Sequence, residues 1–243
     1  MRIIKLDAID STNSYLRQWS NKEALEDYTV VSAKSQTKGR GQMGAVWDTE
    51  PAKNLTVSVF KDISFLDVEQ QFYVSIVVAL AIKKTFKYFG LPKVKVKWPN
   101  DILSDSSKVC GVLIENVIKQ NELKGCIIGI GINVNQTNFE QLPKASSMGV
   151  ITGKHFDLDE VLITLVSQLK DLFQLLKDRK FEILMDRYEN ALFRKKKPST
   201  FKNAKGDLFT GIIKGVTSSG NLVVLLEDEV IEEFELKQIS LLY

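Results

Sequence analysis

The sequence predicts an α+β fold with a small β-barrel domain at its C-terminal end. Segments with the alternating or β-branched pattern of strands are interspersed with long segments in which apolar residues recur at helical spacing. Two β-rich runs, residues 109–118 and 123–134, are separated by a polar turn at Lys119–Glu122. Beyond residue 206 the chain offers only short strands and turns. These observations distinguish a main domain of strands and helices from an all-β end.

The predicted elements of the main domain are a strand at residues 2–9, a helix through Trp19, strands at residues 29–34 and 54–61, a helix at Val68–Phe89, a strand at residues 94–98, the two β-rich runs, and helices from Asp157 and around Phe181–Leu192. Asp10, Ser11 and Thr12 are candidate N-caps of the first helix, because their side chains accept hydrogen bonds from free backbone N–H groups. The helix from Asp157 has an apolar stripe and capping-box spacing to Glu160.

The composition changes at Arg194–Gly206, which is basic, poor in apolar residues and contains a proline. This pattern predicts a linker. The following short strands are joined by turns at Ser218–Asn221 and Glu227–Glu229, and they suffice for a small SH3-like barrel. Because so small a barrel is marginally stable alone, we expect it to pack on the main domain.

Length and composition exclude several classes of protein. The 243 residues are 44% hydrophobic and 26% charged, as in an ordinary soluble globular protein. A net charge of +3 does not by itself indicate nucleic-acid or membrane binding. The N-terminus lacks the pattern of a signal peptide, and no apolar run reaches transmembrane length. We therefore expect a cytoplasmic protein that binds neither nucleic acid nor membranes.

The few histidines and cysteines exclude further kinds of chemistry. His155 is the single histidine, and Cys110 and Cys126 do not form a CxxC pair, so no metal site from protein side chains is assigned. No serine or cysteine lies in a GxSxG nucleophile elbow. His155 precedes a helix in a polar stretch, and we predict that it lies in a surface loop.

The glycine-rich segment at residues 39–46, GRGQMGAV, matches the pattern GxGxxG, but its context differs from that of a nucleotide-binding fingerprint. A proline and then a strand follow, so no helix begins within the motif to receive a pyrophosphate. The segment instead predicts a flexible loop in which glycine N–H groups approach an anion and Arg40 offers two parallel donors. A mobile lid and a plain surface hairpin are the alternatives.

The segment Lys97–Ile102, KWPNDI, places a base, an aromatic ring, an amide and a carboxylate side by side. Pro99 cannot donate to a sheet and biases Trp98 toward an extended backbone, so the preceding strand should end there. Asn100 and Asp101 are then expected to point into a cleft. An ordinary β-turn is the alternative interpretation.

Four segments in this order resemble the catalytic domain of biotin–protein ligases: DSTNSYL (10–16), QTKGRGQMGAVW (36–47), KWPNDI with KVCGVLIE (97–102 and 108–115), and GIGINVN (129–135). The basic segment and the C-terminal strands resemble the SH3-like domain of the same family. The resemblance implies a mixed β-sheet flanked by helices, the class II synthetase-like fold of biotin and lipoate ligases. Residues 1–194 would form the biotin- and ATP-binding catalytic domain, and residues 195–243 the SH3-like domain.

The resemblance also assigns roles to individual residues. For biotin binding it implies Ser11, Thr12, Asn13, Gln36, Arg40, Gly41, Gln42, Lys108 and Gly111. For ATP or adenylate binding it implies Arg40, Trp47, Asn100, Asp101, Lys108 and Asn133. Arg40, Lys108 and Asp101 are the catalytic candidates. Each of these residues also has an interpretation that involves no ligand. Ser11 or Thr12 could cap the helix, Trp47 or Trp98 could lie in the core, and Lys108 could be a solvated surface residue.

Two positions depart from the family pattern. Gln42 stands where many members carry a second arginine, and Leu242 stands where some relatives carry an arginine that contacts the nucleotide. Leu242 cannot make that contact, so the sequence gives no expectation that the C-terminal domain takes part in ATP binding.

The implied activity is activation of biotin by ATP, with Mg²⁺, to biotinyl-5′-AMP, followed by transfer to a lysine. The expected partner is the biotin carrier domain of acetyl-CoA carboxylase or of another biotin-dependent carboxylase, and the enzyme is expected to be a monomer or homodimer. The chain begins at the first catalytic strand, so we expect no N-terminal helix-turn-helix domain and no repressor function. The alternatives are a lipoate–protein ligase, a non-catalytic biotin-binding module, and RNA binding by Arg194–Lys205.

Overall fold

Two β-sheets and five α-helices form the framework of the protein, which the computed structural model describes at residues 2–119, 122–140 and 142–243. The main domain contains β1 (Arg2–Ile9), α1 (Thr12–Lys22), β2 (Thr29–Gln36), β3 (Leu55–Asp62), α2 (Phe72–Tyr88), β4 (Val94–Lys97), β5 (Asp101–Ser104), β6 (Ser107–Lys119), β7 (Glu122–Ile132), α3 (Met148–Thr152), α4 (Leu158–Lys177) and α5 (Phe181–Ala191). The C-terminal part contains β8 (Pro198–Asn203), β9 (Leu208–Val216), β10 (Leu222–Leu225), β11 (Ile231–Phe234) and β12 (Ile239–Leu242).

The main sheet is mixed, in the order β1-β2-β3-β7-β6-β5-β4. β1 and β2 are parallel, and the other neighbouring pairs are antiparallel. Helices α2 and α4 pack together over the main hydrophobic core, whereas α1 packs on β3 and β7 over a smaller cluster around Leu16 and Ile127. The predicted mixed sheet flanked by helices is confirmed. Of the predicted turn between β6 and β7, residues 120 and 121 lie outside the described residues.

The helix boundaries follow from local capping. Ser11 is the N-cap of α1, where its Oγ accepts from Ser14 N at 3.4 Å, and the helix continues three residues beyond the predicted end at Trp19. Asp157 caps α4 by accepting from two backbone N–H groups of the first turn. The helix predicted at Val68–Phe89 is interrupted, since a 3₁₀ turn at Val68–Gln70 precedes α2.

The linker predicted at Arg194–Gly206 is wrong, because Pro198–Asn203 forms strand β8 of the second sheet. Ser199 and Phe201 face inward while their neighbours are exposed, and Phe201 is fully buried. Because the outward-facing residues of this strand are polar or charged, the overall composition of the segment did not reveal the alternation. Arg194 also donates to Ser199 Oγ at 2.9 Å and to the Pro198 carbonyl at 2.6 Å.

The five-stranded antiparallel sheet, ordered β11-β10-β9-β8-β12, packs directly on the main domain as expected. Trp98 mediates this contact: its side chain is buried, and its Nε1 donates to the Gly220 carbonyl at 2.9 Å. Glu189 of α5 accepts from Val216 N at 3.1 Å. Trp98 is therefore an interface residue and does not line the main cleft.

Two remaining predictions concern the exposure of His155 and membrane association, and the structure adds the burial of both cysteines. His155 is exposed in a loop, as predicted, while Cys110 and Cys126 are fully buried and burial raises the pKa of both thiols. Both thiols are therefore held protonated at neutral pH. Across the part of the chain that the structure describes, no helix combines the length and apolarity that crossing a membrane requires.

Candidate active site

A cleft of about 270 Å³ opens between the start of α1, the loop at residues 39–47 and the strands β5, β6 and β7. It brings together nearly all of the residues predicted from sequence, although they come from separate segments. Those that line it are Ser11, Thr12, Asn13, Gln36, Arg40, Gly41, Gln42, Trp47, Asn100, Asp101, Lys108 and Gly111. Asn133 does not: it is buried, and its Nδ2 donates to the Ser146 carbonyl at 3.1 Å. Its role toward an adenylate stays a prediction.

Neutral side chains form a pre-organised polar pocket (Thr12, Asn13, Gln36 and Ser58) on one part of the cleft. Gln36 Oε1 accepts from Thr12 N at 2.8 Å and from Thr12 Oγ1 at 3.0 Å. Ser58 is fully buried, and its Oγ lies 2.7 Å from Thr12 Oγ1 and 2.5 Å from Asn13 Oδ1. Such a network orients donors and acceptors toward a neutral polar ligand.

Glu115, on β6, connects this polar pocket to the glycine-rich loop. Its carboxylate accepts from Asn13 Nδ2 at 2.7 Å and from Arg40 Nη2 at 3.0 Å, and Arg17 Nη2 lies 3.9 Å away. Two predicted ligand-binding residues, Asn13 and Arg40, thus share one carboxylate.

The loop at residues 39–47 is a short hairpin that closes on itself. Gly41 N donates to the Ala45 carbonyl at 2.7 Å, and Trp47 N donates to the Gly39 carbonyl at 3.0 Å. The expectation that several glycine N–H groups face an anion is therefore wrong for Gly41, whose N–H is already bonded. Gly39 is needed for a different reason: a Cβ there would lie 2.1 Å from the Trp47 carbonyl oxygen. Arg40 remains as the cation of this loop.

The ring of Trp47, at the end of that hairpin, packs against the sheet at Gly111 and Gly131. A Cβ on Gly131 would lie 2.2 Å from its indole, and one on Gly111 would lie 3.0 Å away. These two glycines are paired across β6 and β7, so together they form the seat of the ring. Within the described residues, the Trp47 Nε1 atom is buried without a hydrogen-bond partner. The indole N–H is thus an unsatisfied donor that lies against Gly131 and is closed to solvent.

A lysine cluster (Lys97, Lys108 and Lys144) lies at the other part of the site: Lys97 and Lys108 line the cleft and pair with Asp101, whereas Lys144 is exposed and does not line it. Lys108 Nζ lies 2.6 Å from Asp101 Oδ1, and Lys97 Nζ lies 3.7 Å from Asp101 Oδ2. Lys108 also lies over the Trp47 ring, 5.8 Å from its centroid. One carboxylate cannot neutralise three ammonium groups, so the cluster retains positive charge for an anion.

The pKa of Lys97 is lowered in the folded protein. Burial lowers it most, and the charges of Lys108 and Lys144 lower it further, while Asp101 opposes the shift. A bound anion would relieve the same repulsion.

Asn100 is fixed by its own backbone neighbourhood. Its Nδ2 donates to the Val112 carbonyl at 2.7 Å, and Val112 N donates back to the Asn100 carbonyl at 3.2 Å. The turn after the Trp98–Pro99 bond, which is cis, is thereby tied to β6, and Asp101 follows at the start of β5. The expectation that Asn100 and Asp101 lie at the cleft is confirmed by their place in its lining.

Several residues of the site were missed by sequence reasoning. Ser58 was detectable as a polar residue between two valines in a strand whose first seven residues are buried. Gly131 belongs to the quoted segment GIGINVN but was given no role. Glu115 ends the quoted segment KVCGVLIE but was likewise given no role, and Lys144 carried no local signal because its contacts are distant in sequence.

The described residues do not form a metal cage. Within residues 2–119, 122–140 and 142–243, no group of three or more His, Cys, Asp or Glu side chains is arranged to hold a metal ion. Asp101 is the carboxylate in contact with the lysine cluster, and it is already paired with Lys108. The arrangement fits instead a ligand with a neutral polar head and an anionic part, held beside an aromatic ring.

Comparison with known families agrees with this geometry. Residues 6–133 match the model of the Biotin/lipoate A/B protein ligase family. The bifunctional ligase/repressor BirA of Escherichia coli K12 is 27% identical over 240 residues, which cover 97% of this chain and 73% of that protein. BirA of Bacillus spizizenii is 32% identical over 162 residues, and the match spans 64% of this chain but only 48% of that protein.

Solved structures show the same architecture. The biotin protein ligase from Aquifex aeolicus in complex with biotin and ATP superposes with a TM-score of 0.84 at 26% identity, covering 99% of this chain and 98% of that one. An R40G mutant of the same ligase, in complex with biotin, gives a TM-score of 0.78 at 27% identity. The main sheet, its helices and the C-terminal antiparallel sheet therefore adopt the biotin protein ligase fold.

Proposed function

This chain belongs to the biotin/lipoate A/B protein ligase family, and from that premise we propose that it activates biotin with ATP and transfers the biotinyl group to a lysine of a carrier protein. One geometrical feature supports this most strongly. Thr12, Asn13 and Gln36 of the polar pocket line the same cleft as Lys97 and Lys108 of the lysine cluster, beside Trp47. A neutral ureido head group suits the first, and the phosphates of ATP suit the second.

In the polar pocket, Thr12 and Asn13 are fixed before any ligand arrives. Gln36 and Ser58 hold Thr12, and Glu115 holds Asn13. Pre-organised groups lose little conformational freedom when a ligand binds, so the ureido head would be oriented with small entropic cost. The carboxylate of biotin would then extend toward Lys108.

In the first step, a carboxylate oxygen of biotin attacks the α-phosphorus of ATP. A new phosphorus–oxygen bond forms, the bond to the bridging oxygen breaks, and pyrophosphate leaves. Negative charge grows on the phosphoryl oxygens, where Arg40 and Lys108 would stabilise it. For this both side chains must leave their present carboxylate partners, Glu115 and Asp101.

In the second step, the amine of the carrier lysine attacks the carbonyl carbon of the biotinyl adenylate, and AMP leaves. The attacking amine must lose a proton. Once Lys108 has turned to the phosphate, Asp101 keeps only the longer contact to Lys97 and would orient the amine or take up the proton. Trp47 and the closed hairpin would keep water from the reactive anhydride.

A magnesium ion would enter with ATP, since Mg²⁺ prefers phosphate oxygens and water to a protein cage. The described carboxylates do not fit a resident metal site, so no step is assigned to the ion.

The carrier is proposed to be a biotin carrier domain, because relatives from Mycobacterium tuberculosis and Paracoccus denitrificans are named biotin–[acetyl-CoA-carboxylase] ligases. Lipoate is the alternative substrate within the family. The paired donors and acceptors of Thr12, Asn13 and Gln36 favour biotin, because the dithiolane of lipoate has no ureido group for them to bind.

The deciding experiment is ATP–pyrophosphate exchange supported by biotin or by lipoate, on the wild type and on Lys108→Ala. Lys93→Ala is a matched control, since Lys93 also pairs with an aspartate, Asp105, at 3.4 Å but on the exposed surface. We expect exchange that requires biotin, ignores lipoate, persists in Lys93→Ala and falls at least a hundredfold in Lys108→Ala, about the effect of removing one donor from a developing oxyanion.

Other outcomes would identify the error. Exchange supported by lipoate alone would contradict the substrate but leave the adenylation chemistry. Biotin binding without exchange would indicate a non-catalytic biotin-binding module.

A further inference from the structure

The ring of Tyr243 reaches the lysine cluster from the C-terminal domain. Its centroid lies 5.0 Å from Lys97 Nζ and 4.4 Å from Lys144 Nζ. Lys144 Nζ also donates to the main-chain oxygen of Tyr243. Burial, assisted by the charge of Asp101, raises the pKa of the Tyr243 hydroxyl. The ring is therefore neutral at physiological pH.

Phe193 of the main domain packs against the Tyr243 ring. Phe193 contacts it edge-on, with the ring centroids 5.2 Å apart. Phe193 in turn is fixed to β4, the strand that ends at Lys97, because its N–H donates to the Val96 carbonyl at 2.7 Å. The position of Tyr243 is thus set relative to β4 itself.

Lys144 carries the contact onward to Lys108. Lys108 N donates to the Lys144 carbonyl at 2.7 Å, and Ser146 N donates to the Lys108 carbonyl at 3.0 Å. The segment around Lys144 therefore lies alongside the start of β6. Tyr243 touches two lysines of the cluster directly and is linked through the backbone to the third.

An aromatic face is well suited to this position. Burial is the main cause of the lowered pKa of Lys97, and the charges of Lys108 and Lys144 add to it. A second carboxylate would hold them together but cancel the charge that an anion needs. A ring attracts ammonium groups through its quadrupole and leaves their net charge intact.

We propose that Tyr243 is a positioning residue, which holds Lys97 and Lys144 in place to receive the polyphosphate of the nucleotide. This inference rests on the proposed function and deepens it. Leu242 cannot contact the nucleotide as an arginine would. The C-terminal domain instead acts on nucleotide binding through the next residue, Tyr243, by an aromatic ring.

The test changes the π-electron density at position 243 while preserving shape. Tyr243→Phe, the same position with trifluorinated phenylalanine, and Tyr243→Leu form a series of decreasing cation–π strength. Leu242→Ala is the control, because Leu242 is 41% exposed and neighbours Tyr243 in sequence. For each variant we would measure the dissociation constant of ATP by calorimetry, the KM values for ATP and biotin in the exchange assay, and the melting temperature.

We expect Tyr243→Phe and Leu242→Ala to bind ATP within about twofold of wild type. The trifluorinated ring should weaken ATP binding by about fivefold and Tyr243→Leu by about tenfold, with the KM for biotin unchanged. Equal ATP affinity across the ring series would overturn the proposal, as would equal losses for ATP and biotin or the absence of ATP binding in the wild type. Absence of exchange in a wild type that binds ATP would contradict the proposed function alone, since the ATP affinities still decide the role of Tyr243.

Discussion

Arg40 Nη2 lies 3.0 Å from Glu115 Oε2, so the arginine of the glycine-rich loop is paired with a carboxylate of the sheet. The same Oε2 atom accepts from Asn13 Nδ2 at 2.7 Å. Glu115 therefore couples the polar pocket to the loop, because one carboxylate fixes both Asn13 and Arg40.

The first prediction concerns this coupling. Glu115→Gln keeps the shape but removes the charge that attracts Arg40, and it presents an N–H₂ group where Asn13 now donates. We expect the KM for biotin to rise about tenfold, since hydrogen bonds to charged groups contribute about 1.5–3 kcal/mol and the half-exposed Arg40 lowers that figure. Glu122→Gln is the control, because Glu122 pairs with a lysine on the exposed surface. An unchanged KM for biotin would show that Glu115 has no part in the pocket.

The second prediction separates the two chemical steps at Asp101. Asp101→Asn cannot accept a proton, but it leaves Lys108 free to contact phosphate. We expect adenylate formation to change by less than about fivefold and transfer from isolated biotinyl adenylate to a carrier domain to fall by about a hundredfold, the usual contribution of a general base. Single-turnover assays of each step provide the measurement.

Asp105→Asn provides the comparison for that variant, since Asp105 pairs with Lys93 outside the cleft. If both steps fell equally in Asp101→Asn, Asp101 would act by organising the lysines and not on the amine.

The third prediction concerns the packing of the Trp47 ring against Gly111 and Gly131. A Cβ at Gly131 would lie 2.2 Å from the indole, so the Trp47 ring could not keep its present position. Gly131→Ala should therefore displace Trp47, change its fluorescence, and weaken biotin binding by tenfold or more, because the loop at residues 39–47 moves with the ring.

A double-mutant cycle tests the cause of that loss. If steric conflict is the reason, Gly131→Ala adds little to the defect of Trp47→Ala, because the smaller side chain leaves room for the new methyl group. Additive losses in the double variant would instead place the effect of Gly131 elsewhere in the sheet.

The strands and helices of the main domain could be predicted from local patterns, whereas the mixed sheet and most residues of the cleft were implied by the family resemblance. Ser11 is both a cap and a lining residue, and Asn100 and Asp101 follow a strand that Pro99 ends. These properties are visible in short stretches of sequence.

The remaining features depend on contacts between distant segments. Trp98 looks the same in sequence whether it faces a ligand or, as here, bonds to the Gly220 carbonyl of another domain. Tyr243 gains its place from Lys97 and Lys144, which lie far away along the chain. The strand β8 was mistaken for a linker because its inward face has few residues and its outward face is charged and polar.

The last prediction concerns Lys97 and pH. Its pKa is lowered in the folded protein, chiefly by burial, so the folded state carries a penalty whenever this lysine is charged. Below the folded pKa the penalty is fully present. As pH rises through the folded pKa toward the ordinary value of 10.5, the folded protein loses the proton before the unfolded chain does, and stability rises. Lys97→Met removes the charge and should melt at a higher temperature than wild type at pH 7.

That advantage should shrink as pH approaches 10, and it should also shrink when ATP is added at pH 7. On the proposed function, ATP should stabilise the wild type by neutralising the cluster, whereas the variant would lack part of the anion site and should bind ATP more weakly. Lys93→Met, which alters a largely exposed lysine, should show neither effect. Melting curves at several pH values, with and without ATP, make the comparison. A Lys97→Met protein that is less stable at pH 7 would mean that the attraction of Lys97 to Asp101 and to the Tyr243 ring outweighs burial and repulsion.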